Sequence, residues 1–167
     1  MKPFSFDDDF FSGFPYTREG FFLDRLIEVD REGNKITCEM ETTKRFPLID
    51  EQRHHEVLYP PHLPGGIIIH LTGIVGMAAA QLLLDIRFDR GWSGYGSRIH
   101  RAEFKRLVEL GPPVLLEGRI TSDKRRGTMT ILRYEFRFLQ EGQLFYFGDQ
   151  TAVYRFHEGA PFSREPG

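Results

Sequence analysis

The sequence predicts an α+β domain in which one antiparallel sheet wraps a single long, buried helix. Three observations lead there. Residues 67–84 read IIIHLTGIVGMAAAQLLL, almost wholly apolar, with His70, Thr72 and Gln81 as the polar members. On both sides of that run, apolar and polar residues alternate with period two, the mark of a strand with one buried face. The helical run stands alone among the strands, which separates this pattern from a repeating βαβ chain.

Taken in order, residues 1–20 are aromatic and acidic, with Phe4, Phe6, Phe10, Phe11 and Phe14 around Asp7, Asp8 and Asp9. This stretch reads as an N-terminal arm: packed on the domain, docking on a partner, or a partly ordered terminus. Residues 21–30 lead into a turn at residues 31–34. Ile36, Cys38 and Met40 then alternate with Thr37, Glu39 and Glu41, so the two segments form a hairpin. Residues 46–61 form a loop that delivers the chain to the helix, and Pro64-Gly65-Gly66 is strong punctuation just before it. After it, residues 85–96 read as a polar, glycine-rich connection, and a strand is expected over 97–107. Gly111-Pro112-Pro113 breaks the chain before a strand at 114–122. Lys124-Arg125-Arg126-Gly127 forms a basic turn. Leu132, Tyr134, Phe136 and Phe138 alternate with Arg133, Glu135 and Arg137, the cleanest strand signal present. A last strand, 144–156, carries an expected bulge at Gly148. The order is a hairpin, a long helix, then a meander of about four strands. The domain spans 21–157 and a loose tail spans 158–167.

Chain length and charge bound the function. The 167 residues suit one domain with a real core, and 22 basic against 24 acidic residues give a net charge of −2. No basic run marks a nucleic-acid partner. Cys38 is the lone cysteine, so no intrachain disulfide forms, and it reads as a core residue rather than a nucleophile. The opening residues lack the apolar core of a signal peptide, which makes a reducing cytoplasm the expected compartment. Residues 67–84 approach the length of a membrane span, but the polar members and the surrounding strands favour a buried helix.

If residues 67–84 are helical, Gly66, His70, Gly73 and Met77 share one face, because residues three and four apart are neighbours. His70 then sits between two positions without side chains, as a ligand pocket needs. The alternative is that these glycines let the helix lie close to the sheet and His70 is a satisfied core histidine.

The element order and the Pro-Gly start of the helix resemble the hotdog fold. Pro15 with the Phe21-Phe22-Leu23-Asp24-Arg25-Leu26-Ile27-Glu28 run resembles the opening of the β-hydroxyacyl thioester dehydratases of that fold. The stretch from Ile99 to Gly111, IHRAEFKRLVELG, is similar to the strand and turn after their helix, and Glu141-Gly142-Gln143-Leu144-Phe145-Tyr146 to their last hairpin. The resemblance covers most of residues 15–156. It implies a histidine that removes the proton alpha to the thioester carbonyl and a helix carboxylic acid that protonates the leaving hydroxyl. In the family pattern the histidine stands nine positions before the glycine of the Pro-Gly pair and the acid five after it. Here Gly65 fits that glycine, the acid position holds His70, and the histidine position holds Glu56 with His55 one residue further back. His54 and His62 are alternatives to His55. A His55–His70 pair would then divide the base and acid roles, histidine being the side chain that changes charge near neutrality.

Pro64-Gly65-Gly66, Leu71 and Gly76-Met77-Ala78-Ala79 also resemble the acyl-CoA thioesterases of the same fold. Their histidine position holds Pro64 and their acidic position Gly73, so water activation would fall to Asp50, Glu51 or Glu56. Both resemblances imply an acyl-CoA or acyl-carrier-protein (acyl-ACP) thioester as partner, no cofactor, no metal, and a homodimer or dimer-based oligomer. The expected catalytic residues are His55, His70 and His54. Gly65 and Gly66 would hold the thioester oxygen on helix amides, Gly73 would flank the acyl chain, and Lys105 and Arg106 would meet phosphate. Against these stand blander readings: a solvated face for Lys105 and Arg106, and a surface loop for His54 and His55. The spacing of His54, His55 and His62 matches no zinc pattern, and no nucleophile elbow is present. The competing functions are a 3-hydroxyacyl-thioester dehydratase with an altered acid, an acyl-thioester hydrolase, and a non-catalytic acyl-thioester binding module.

Overall fold

A computed structural model describes residues 6–159; Phe4 and the tail from residue 160 lie outside the described residues. Two short helices come first, α1 (Asp8–Ser12) and α2 (Arg18–Phe21). The hairpin β1 (Arg25–Asp30) and β2 (Lys35–Met40) follows, then the long helix α3 (Gly65–Leu84). After a short 3₁₀ turn at Phe88–Arg90 come β3 (Trp92–Phe104), β4 (Val114–Arg126), β5 (Met129–Gln140) and β6 (Gln143–Phe156). The strands form one antiparallel sheet in the order β1-β2-β4-β5-β6-β3. The expected class, a sheet around one central helix, is the class observed.

Several sequence expectations need correction, among them the basic turn at 124–127, where Lys124, Arg125 and Arg126 are the end of β4 and pair with β5. The last four strands are not a simple meander: β4 pairs with β2, and β3 crosses to the far edge beside β6. Alternation reports which face of a strand is buried, not which strand lies next to it. The glycine-rich stretch from Trp92 to Gly96 is strand, with Trp92 opposite Phe156 and Gly94 opposite Tyr154. Gly94 is needed there because a Cβ would collide with the Tyr154 ring. The expected bulge at Gly148 is absent, since Gly148 pairs in register with Phe136 and Ala102. The register instead skips Ser97 and His100 on β3 and Phe145 on β6.

The core is the sheet-facing side of α3. Leu71, Ile74, Val75 and Ala78 have no exposed surface, and burying each large aliphatic side chain contributes roughly 1.5–3 kcal/mol. The closest approach is at Gly118 of β4, where a Cβ would stand 2.5 Å from Val75 Cγ1. Although α3 is long and apolar enough to cross a membrane, it is the buried core helix of this sheet.

The chain before β1 closes one end of the core. Phe10, Phe14 and Phe21 are buried there, with the Phe10 and Phe14 rings stacked 5.1 Å apart. Arg87 ties this segment down: its guanidinium donates to Asp9 Oδ2 at 3.1 Å, Ser12 Oγ at 2.8 Å and Asp89 Oδ2 at 2.9 Å. Those carboxylates and the hydrogen bonds they accept push the Arg87 pKa further up, and the same bonds hold the Asp89 carboxyl below its usual range.

Candidate functional site

Pro64 starts α3 without a side-chain cap, and its carbonyl accepts from the amides of Ile67 and Ile68. The Gly65 and Gly66 amides belong to the helix's first turn, where no intrahelical acceptor exists. Beyond them, one stripe of α3 turns away from the sheet. Gly66 and Gly73 are exposed, and a Cβ added at either meets nothing within 4 Å. His70 and Met77, on the same stripe, are half-buried. These helix glycines therefore do not serve close packing on the sheet. Gly118, and Gly76 with its would-be Cβ 3.3 Å from the Phe136 ring, do that instead.

A cleft of about 330 Å³ opens over the stripe, lined by His70, Thr72 and Met77 of α3, Arg98 of β3, Gln150 of β6 and Tyr16. His70 Nε2 stands 2.8 Å from the Gly20 carbonyl. A carbonyl can only accept, so Nε2 carries the proton and, in the neutral ring, Nδ1 carries the lone pair. The rings of Tyr16 and Phe22 meet the imidazole edge-on at 5.4 and 5.6 Å. These contacts fix the ring plane. Beside it, Gln150 Nε2 donates to Thr72 Oγ1 at 2.8 Å, and Thr72 Oγ1 donates to the Ile69 carbonyl at 2.7 Å. Among the described residues, no carboxylate lines the cleft.

The other expected site residues stand elsewhere. His55 is exposed, and its Nδ1 accepts from the amides of Val57 and Leu58 at 3.2 and 3.1 Å. It thereby caps its own turn, which a two-way backbone bridge to Tyr59 closes. His54 is exposed beside it. Neither lines the cleft, so one chain by itself does not bring His55 to His70. His62 is buried, with Nδ1 donating to the Pro60 carbonyl at 2.9 Å and its backbone held by Gln52. Gly65 is exposed at the helix start, where its Cβ position faces the Phe104 ring at 3.5 Å. Lys105 is exposed and paired with Glu103, and Arg106 is exposed. Asp50 pairs with Arg45, and Glu51 and Glu56 are likewise exposed and off the cleft. Cys38 is fully buried, and burial pushes its thiol pKa far up, away from nucleophilic use. Among the described residues, no three of His, Cys, Asp and Glu group closely enough to hold a metal ion.

Sequence reasoning missed Tyr16, Arg98 and Gln150. Thr72 was visible as a polar interruption of the helix, but its partner Gln150 is 78 residues away. Only the pairing of β6 with β3 and β5 brings it to the cleft.

No protein-family model matches the sequence, and no curated protein matches it. Solved structures do. A variant of thioesterase PA1618 from Pseudomonas aeruginosa superimposes with a TM-score of 0.56 at 15% identity, covering 83% of this chain and 85% of that one. A variant of the phenylacetic acid degradation protein PaaI from Thermus thermophilus gives 0.56 at 17% identity, covering 83% and 96%. The dehydratase heterocomplex ApeI:P from Xenorhabdus doucetiae gives 0.59 at 12% identity, covering 86% and 88%. Likeness at such low identity is a likeness of architecture, and with the six-stranded sheet around α3 it makes this chain a hotdog-fold protein.

Proposed function

We propose that this protein hydrolyses an acyl thioester, carried by CoA or an acyl carrier protein, in the cleft beside α3, with His70 as general base. The observation that carries the reading is the His70–Gly20 hydrogen bond. It places the proton on Nε2 and leaves Nδ1 as the acceptor, in a cleft that has no other imidazole and no carboxylate among the described residues. In the reaction Nδ1 takes a proton from water, and the oxygen attacks the thioester carbon. The carbonyl oxygen gains charge beside the first-turn amide of Gly66, four residues before His70 on the same face of α3. The carbon–sulfur bond then breaks, and the imidazolium returns the proton to the leaving thiolate. Arg98, Lys105 and Arg106 lie along β3 and its end, where they offer cations to a CoA or carrier phosphate. The thioesterases among the similar structures support this reading.

Dehydration of a 3-hydroxyacyl thioester is the second reading, supported by the likeness to the dehydratase complex. It needs a proton donor for the leaving hydroxyl besides His70. The cleft offers the Tyr16 hydroxyl where a carboxylic acid would be expected.

The reading includes a second copy of the chain. Among the described residues of one chain β3 is bonded on one side only, to β6, and it exposes Tyr95 by 67% and Ile99 by 51%. A long open edge with apolar side chains is a template for another strand, and Ile99 also lines the cleft. A homodimer joined along β3 would complete the cleft wall. Light scattering at micromolar concentration tests it, and a stable monomer there would reject it.

The deciding experiment incubates the protein with a medium-chain acyl-CoA and its 3-hydroxy counterpart, read by mass spectrometry. Free CoA from both is the expected result. Loss of water from the hydroxy substrate alone would establish the dehydratase reading. Bound, unchanged ligand would make the protein a binding module.

A further inference from the structure

We infer that the N-terminal arm gauges the length of the acyl tail: the tail runs past Met77 into a second, apolar cavity that the arm closes, and a tail of about twelve carbons fills it. The inference rests on the acyl-thioester reading and names the acyl class. Two cavities line up between the same two elements. The His70 cleft takes Thr72 and Met77 from α3 and Gly96 and Ile99 from β3. The second cavity, about 110 Å³, takes Met77 and Gln81 from α3 and Trp92 and Gly94 from β3. As α3 runs from His70 to Gln81, β3 runs back from Ile99 to Trp92, so the two cavities form one groove with Met77 at the junction. Tyr16 lines the first part, and Gly13 and Pro15 line the second, so the arm borders both.

The groove changes character along its length. Near His70 it presents Thr72, Arg98 and Gln150. Beyond Met77 the polar side chains of the wall are turned to other partners. Gln81 Nε2 donates to the Phe10 carbonyl at 2.8 Å, and its Oε1 is buried out of reach. Ser93 Oγ lies 2.8 Å from His157 Nε2, and the Tyr154 hydroxyl lies 2.9 Å from that of Tyr134. What remains is chiefly Pro15, Met77, Ile86, Phe88 and Trp92. The thioester head therefore belongs at the His70 end and an alkyl tail at the Trp92 end, because apolar surface gains by leaving water while an unpaired polar group loses. Met77, unbranched and adaptable, can give way to a chain that passes it.

The arm is pinned where the groove ends. The Phe88 amide donates to the Gly13 carbonyl at 2.8 Å, Gln81 holds the Phe10 carbonyl, and Arg87 holds Asp9 and Ser12. Gly13 lies so close to Arg87 that a Cβ there would stand 2.7 Å from Nε. A wall packed and bonded at several points resists a longer tail. Gln81 is eleven residues beyond His70, roughly 16 Å along the axis at about 1.5 Å per residue, which an extended chain of about twelve carbons spans. Met77 is seven residues beyond His70, roughly 10 Å, which about eight carbons span. The single tryptophan of the chain, Trp92, lines the second cavity and reports its filling by fluorescence.

The test titrates the full-length protein with non-hydrolysable thioether analogues of octanoyl-, dodecanoyl- and hexadecanoyl-CoA, read by calorimetry and by Trp92 emission. The dodecanoyl analogue is expected to bind at least about tenfold more tightly than the octanoyl one, since each buried methylene is worth about fourfold. It should also shift Trp92 emission, which the octanoyl analogue leaves unchanged. The hexadecanoyl analogue is expected to bind at least about tenfold more weakly than the dodecanoyl one, because its tail overfills the cavity. In Met77→Phe, whose ring fills the junction, the preference for dodecanoyl over octanoyl should fall toward one. Wild-type affinities that stay level with tail length, or that still rise at hexadecanoyl, overturn the inference and leave the thioester reading standing. So does a preference that is unchanged in Met77→Phe. Failure of all three analogues to bind overturns both. The wild-type series decides even if the variant does not fold.

Discussion

On the sheet side of α3, Leu71, Ile74, Val75 and Ala78 are sealed against β2 and β4, and Gly118 gives way to Val75. On the other side, Gly66, His70, Gly73 and Met77 look into open space or a cleft. Both sides are made of small and apolar residues, so composition does not tell them apart. The sealed side is judged by volume, where a methyl too many or too few is felt. The open side is judged by what it leaves uncovered: an imidazole with its proton placed and a helix end with free amides. Glycine serves both sides for opposite reasons, close approach at Gly118 and vacancy at Gly73.

The sharpest way to break this contrast is on the open side. His70→Ala is expected to lower kcat/KM for an acyl-CoA by about 10²–10⁴-fold, while the variant still melts cooperatively in calorimetry. His55→Ala, by contrast, removes only a turn cap and leaves kcat/KM within a few-fold. Full turnover by His70→Ala would move the chemistry off this face.

On the sealed side the largest effect is on folding. Leu71→Ala deletes a fully buried side chain and should cost about 2–5 kcal/mol in denaturant unfolding, because the cavity collapses only in part. Gly118→Ala is the complementary overpacking test. Its methyl would stand 2.5 Å from Val75 Cγ1, and the forced shift should cost about 1–3 kcal/mol. A neutral result would mean that the helix can lift from the sheet without penalty.

Gly73→Ala carries the same chemical change to the open side and should have the opposite sign. Nothing obstructs the added methyl, and replacing an interior helix glycine by alanine is worth up to about 1 kcal/mol. A melting temperature that rises for Gly73→Ala and falls for Gly118→Ala would establish the contrast in one experiment.

The smallest effect concerns the clamp at the end of α3. The hydrogen bond from Arg87, with a further one from Ser12, holds the Asp89 carboxyl below its ordinary value. Because the folded pKa is the lower one, the contribution is complete above the unfolded value of about 3.9 and is lost as pH falls through the folded value. Asp149, held down by Arg133, behaves alike. The melting temperature should drop below about pH 4, and Asp89→Asn should flatten that drop.

Much of the fold could be read in the sequence because it rests on local periodicity. Period two along Ile36–Cys38–Met40 and Leu132–Phe138 marks strands, and a long apolar run after Pro64-Gly65-Gly66 marks a buried helix. The shared face of Gly66, His70, Gly73 and Met77 also followed from helix spacing alone. The site was only half legible. His70 announced itself as a polar residue on an apolar helix, but His55 was chosen by its distance in sequence, and its ring is taken by the amides of its own turn.

Sequence by itself determined the class of the domain, the helix and which residues share the His70 face of it, since these depend on neighbours within one turn or one pleat; that this face stays open was decided by the packing. Tertiary structure alone decided the strand order, the length of β3, and the meeting of Tyr16, Arg98 and Gln150 with His70. It also decided that Gln81 of α3 holds the Phe10 carbonyl of the N-terminal segment. Those facts depend on pairing and packing between segments far apart in the chain, which no periodicity records.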